Sequence, residues 1–80
     1  MPYINKSDRA QATTTPYTPG ELNFAITSIL LGYLLRCGDS YTFFNDCLGA
    51  LEGAKLELYR RKIAPYEERK RKKNGDVYSL

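Results

Sequence analysis

The chain has no histidine and no tryptophan, and its 80 residues include only two cysteines, Cys37 and Cys47. Without histidine, and without a CxxC pair, it lacks both the usual ligands of a zinc site and the base that a serine or cysteine nucleophile needs. No P-loop, GxSxG or metal-binding motif takes their place. Glu52 and Glu57 share one predicted helix, but a spacing of five residues spreads them more than about 100° around its axis, too far apart for a dense carboxylate cluster. No enzymatic activity is expected, and no cofactor. The two cysteines fall beside a predicted turn and read as buried or half-buried thiols in a reducing cytosol.

A long hydrophobic run is also missing. The most apolar stretch, residues 22–35, is shorter than the ~20 residues a membrane span needs, and Asn23, Thr27 and Ser28 interrupt it. It begins late and has no small-residue cleavage site, so it does not read as a signal peptide. The expectation is a cytoplasmic protein with no membrane partner. The chain is also short for a self-sufficient core. A domain of this size buries only roughly 60–65% of its unfolded surface, and such chains usually need a staple or a second subunit.

What is present is charge, unevenly placed. Lys6, Arg9 and Arg36 stand against four acidic residues in the first fifty, while residues 51–80 hold nine Lys/Arg against five Asp/Glu. The imbalance suits an anionic partner but is mild beside a dedicated nucleic-acid arm.

Residues 1–18, with Pro2, Pro16 and three consecutive threonines, read as a mostly irregular, mobile arm. Ser7 and Asp8 offer a cap for one short turn of helix, and Tyr3, Ile4 and Tyr17 are its only residues able to dock on a core. "TPGEL" then opens a helix over 19–37. Thr18 is the N-cap, Pro19 occupies the first position, Glu21 completes a capping box, and Gly38 ends the helix in a left-handed conformation. Leu22, Ile26, Ile29, Leu30 and Tyr33 form one face, and Phe24, Ala25, Leu31, Leu34 and Leu35 cover much of the rest. A helix apolar nearly all round asks to be buried nearly all round, which one neighbouring helix cannot do.

After the "GDS" turn, with Ser40 as N-cap, a second helix is predicted over 41–73. Phe44, Cys47, Leu48, Leu51, Ala54 and Leu58 form its stripe, and Gly49 and Gly53 give a GxxxG spacing suited to close helix approach. Pro65 must kink it, because proline removes a backbone donor and clashes with the preceding turn. Beyond the kink, Glu67–Arg71 and Glu68–Lys72 are favourable i, i+4 pairs, and basic residues before the "NG" stop suit the negative end of the helix dipole. Residues 74–80 form a tail. The expected architecture is all-α: a helical hairpin with a kinked, long second helix, assembled as a homo-oligomer.

"MPYI", "PGELNFAIT", "GALEGAKLELYRRKIAPYE" and "NGDVY" resemble a family of short uncharacterised proteins of phages and prokaryotic genomes, a domain of unknown function. By type rather than by motif, the chain is also similar to the short phage proteins that block nucleotide-signalling immunity. Those proteins form compact homo-oligomers and hold cyclic nucleotides or ADP-ribose derivatives in basic, aromatic interface pockets without cleaving them.

That likeness gives the expected function: sequestration of a nucleotide-derived signal. Lys55, Tyr59, Arg60, Arg61, Tyr66 and Asn74 are the expected ligand-binding residues, since a guanidinium fork matches phosphate and a tyrosine offers a plane for a base. The bland alternative is internal ion pairing, Glu52 with Lys55 and Glu57 with Arg61. A protein-interaction module acting on a host protein is the competing function. A nucleic-acid binder using residues 69–73 ranks below both, and those cations read mainly as a solvated helix end.

Overall fold

The local signals at 18–21 act as the sequence implies. Thr18 has extended backbone and its hydroxyl accepts from the Glu21 N–H, while the Glu21 carboxylate reaches back to the Tyr17 N–H at 3.0 Å. In this computed structural model, which describes residues 1–78, they start the helix Pro19–Cys37. The first helix of the chain lies earlier, in the arm. A 3-10 turn, Lys6–Asp8, leads into α1, Arg9–Thr14, so Pro19–Cys37 is α2. The second predicted helix comprises α3, Tyr41–Leu58, a π-helical turn, Tyr59–Ile63, and α4, Ala64–Asn74, in unbroken succession. The described residues are helical or irregular, with no strand among them. None of these helices is long and apolar enough to cross a membrane.

Two units divide the chain, Met1–Asn45 and Asp46–Leu80. In the first, α1 packs along α2. Ala12 of α1 is fully buried, and the Arg9 guanidinium sits 5.4 Å from the centre of the Phe24 ring while its Nε donates to the Ile4 carbonyl. Ile4 docks beside Gly20, where an added Cβ would lie 3.1 Å from the Ile4 side chain. No side chain caps the turn at Asn5 or α1 at Asp8. The arm is therefore more ordered than its composition suggests, because three residues (Ile4, Arg9 and Ala12) find contacts that no local pattern encodes. Tyr3 and Tyr17 remain exposed.

Gly38 closes α2 with φ of 103° and donates its N–H to the Leu34 carbonyl. Ser40 starts α3 as expected, its hydroxyl accepting from the Phe43 N–H at 3.4 Å, and Phe43 meets Tyr33 edge to face. No residue of α2 is buried. Leu22, Ile29, Leu31 and Leu35 are 52–88% exposed.

In the second unit, Pro65 acts where the sequence places a kink, and the π turn shows how. The Ala64 N–H donates to the carbonyl of Tyr59, five residues back. This wider spacing lets the helix pass the carbonyl that the proline ring would otherwise strike. Cys47 is the one buried side chain among the described residues of this unit, and both cysteines are free thiols, Cys37 exposed. Among the described residues, a Cβ built on Gly49 or on Gly53 would meet nothing within 4 Å beyond its own helix backbone.

Candidate ligand-binding cleft

The end of α4 explains "NGDVY". Asn74 is the last helical residue, and Gly75, with φ of 96°, turns the chain and donates its N–H to the Arg71 carbonyl. Asp76 then does two things: one carboxylate oxygen accepts the Tyr78 N–H at 2.8 Å, and the other takes the Arg71 guanidinium at 3.4 Å. Glu68, one turn before Arg71, also accepts from it, through Nε at 3.1 Å and through a second, shorter contact. Arg71 is thus a clasp between its own helix and the returning tail. The bond from Arg71 holds the Glu68 carboxyl below its ordinary range, and the same bond raises Arg71 above its ordinary value.

Between helix and tail lies an open cleft of about 560 Å³, lined by Tyr59, Tyr66, Lys70, Arg71, Asn74 and Tyr78 among others. Tyr59 comes from the π turn, and its hydroxyl donates to Glu67 across eight residues at 3.0 Å. That bond is the main reason its phenol titrates above 10.0, with the adjacent carboxylate charge second. Lys70 and Arg69 place their cations 5.6 and 5.9 Å from the centre of the Tyr66 ring. Neither pairs with a carboxylate among the described residues.

Three of the six residues expected from sequence therefore come together here: Tyr59, Tyr66 and Asn74. The other three sit on the exposed helix surface as ion pairs. Lys55 is 3.6 Å from Glu52, while Arg60 and Arg61 both reach Glu57, at 2.9 and 3.8 Å. Two of these pairings were legible from spacing, and Arg60 adds an i, i+3 partner. None of the three lines the cleft.

Sequence reasoning missed Lys70, Arg71, Tyr78 and the carboxylates Glu67, Glu68 and Asp76. Lys70 and Arg71 fall in a charge run that reads as a solvated helix end. The available signal was Gly75 followed by Asp76, an aspartate able to take up tail and helix together. Chemically, the cleft offers aromatic planes, the Lys70 ammonium and carboxylates that accept hydroxyl donors, but no cluster of three or more His, Cys, Asp or Glu that suits a metal among the described residues.

No curated protein and no solved structure matches the chain. A family described only as a domain of unknown function (DUF6899) matches residues 1–77, and the chain belongs to that family.

Proposed function

We propose that this protein binds and sequesters a nucleotide-derived signalling molecule, of the cyclic nucleotide or ADP-ribose type, without transforming it. The observation that carries the reading is the convergence of Tyr59, Tyr66 and Asn74 on one cleft with the Lys70 ammonium beside the Tyr66 ring. A base stacked on a tyrosine contributes about 1–3 kcal/mol, and the cleft falls within the roughly 300–1,000 Å³ of small-molecule sites. Lys70 supplies charge for a phosphate. Glu67, Glu68 and Asp76 accept hydroxyl or amino donors and repel dense anionic charge, so one or two phosphates suit the cleft better than a triphosphate. Self-association and a cytoplasmic setting, the host's if phage-encoded, belong to the same reading.

A thermal-shift titration against a panel of cyclic nucleotides, dinucleotides and ADP-ribose derivatives tests it. A ligand should raise the melting temperature of the wild type, and Tyr66→Ala or Lys70→Ala should remove the rise. Lys72→Ala with Lys73→Ala should leave it nearly intact. If no member of the panel stabilises the wild type, the reading fails. The protein-interaction module then comes first, favoured by Arg60 and Arg61 already satisfied by Glu57 beside the exposed Leu56 and Leu58.

A further inference from the structure

Two cations line the cleft, and they are used differently. Lys70 is in no ion pair among the described residues, whereas Arg71 is held by two carboxylates. Those two hold it unequally. Glu68 takes the Nε–Nη2 edge of the guanidinium with both its oxygens, the fork-to-fork arrangement that makes such pairs strong. Asp76 reaches only Nη1, through one oxygen at 3.4 Å, while its other oxygen accepts the Tyr78 N–H at 2.8 Å. The Nη1–Nη2 edge therefore carries one long contact where a phosphate, with its several oxygens, would make two.

The Asp76 contact is also easily exchanged. The Arg71 and Asp76 side chains are 46 and 37% exposed. Water screens a pair of that kind, which limits it to about fivefold in an equilibrium constant. Asp76 reaches Arg71 on a tail that turns at Gly75, so it is an anion tethered beside the guanidinium at high local concentration. A phosphate entering the cleft has to compete with it.

We infer that Arg71 is a phosphate-binding residue of the cleft and that Asp76 is its tethered competitor. A bound phosphate takes the Nη1–Nη2 edge in place of Asp76, and Asp76 thereby sets how tightly anions are held. The inference rests on the sequestration reading for the identity of the ligand, but not for the exchange of anions itself.

Chemical-shift titration of the full-length chain at fixed ionic strength, with ADP-ribose and with inorganic phosphate as probes, tests the exchange. Asp76→Asn keeps an oxygen for the Tyr78 N–H, and so keeps the tail in place, but removes the charge on Arg71. It should tighten both probes about threefold. Arg71→Gln should weaken both, and adding Asp76→Asn to it should change nothing further. Relief of general repulsion would instead give the same gain without the guanidinium, and that result overturns the exchange. A carboxylate that only holds a cleft wall predicts unchanged or weaker binding in Asp76→Asn. If ADP-ribose behaves in that way, the exchange is overturned and the sequestration reading stands. Tightening of inorganic phosphate with no nucleotide of the panel bound leaves the exchange standing and overturns only the sequestration reading. No response of the Arg71 side chain to either probe, in wild type or in Asp76→Asn, overturns the exchange as well.

Discussion

The two units of this chain are organised by different forces. In residues 1–45, order comes from packing: a buried alanine, an isoleucine against a glycine, an arginine on an aromatic face, and an apolar helix with surface left over. In residues 46–78, order comes from local electrostatics. Glu52–Lys55, Glu57–Arg60, Glu68–Arg71 and Arg71–Asp76 succeed one another along the exposed helix and tail. Packing specifies one arrangement and tolerates salt, whereas exposed ion pairs each contribute little and are screened. The function proposed above would divide labour between them: reversible, charge-assisted binding falls to the second region and not to the first.

The largest effect expected from breaking this contrast is at Ala12. Replacing it with Asp puts a carboxylate where nothing is exposed and should cost about 3 kcal/mol, undocking α1. Proteolysis within residues 9–14 reads this directly, and a resistant variant would show that the arm is not held by that contact. Thr18→Ala should come next, at about 1 kcal/mol from the lost N-cap, measured by denaturant unfolding and insensitive to salt.

Gly53→Ala sharpens the comparison in the opposite direction. Among the described residues, nothing beyond the helix's own backbone lies within 4 Å of the added methyl, so helix propensity alone should stabilise by about 1 kcal/mol. Destabilisation instead would reveal another chain's helix against the GxxxG face.

The smallest effect belongs to the tail clasp. Asp76→Ala should loosen the tail with little change in overall stability, visible as faster amide exchange at Tyr78 and absent at ~1 M salt. Its pH dependence has a definite sign. Glu68 is lowered in the folded state, so its contribution is present above its unfolded value near 4.5 and is lost as pH falls through the folded pKa. Tyr59 is raised, so its contribution is present below 10.0 and is lost as pH rises through its folded value.

Much of this was legible in the sequence because it is local. Thr18, Glu21, Gly38 and Ser40 mark helix ends with groups that act within four residues, and Pro65 announces its disturbance. The form of that disturbance was less legible: relief comes as a π turn beginning six residues earlier, at Tyr59, where the sequence shows only a helix former. The docking of Ile4 and Arg9 depends on Gly20 and Phe24, far along the chain and beyond any periodicity. In the cleft, Tyr59, Tyr66 and Asn74 were found, and Tyr78 was not. Spacing paired Arg71 with Glu67 and Glu68 with Lys72, but Glu67 takes the Tyr59 hydroxyl, and Arg71 joins Glu68 to Asp76 across a glycine turn. Composition also overstated Arg60 and Arg61, whose charge is shared by Glu57.

The division of labour is tested most directly by assigning the backbone amides and titrating in the panel ligand that gives the largest thermal shift. The account predicts chemical-shift changes concentrated at Tyr59, Tyr66, Lys70, Asn74 and the tail to Tyr78, with α2 unmoved. Changes centred on α2, or a ligand response that persists in Tyr66→Ala, would contradict it.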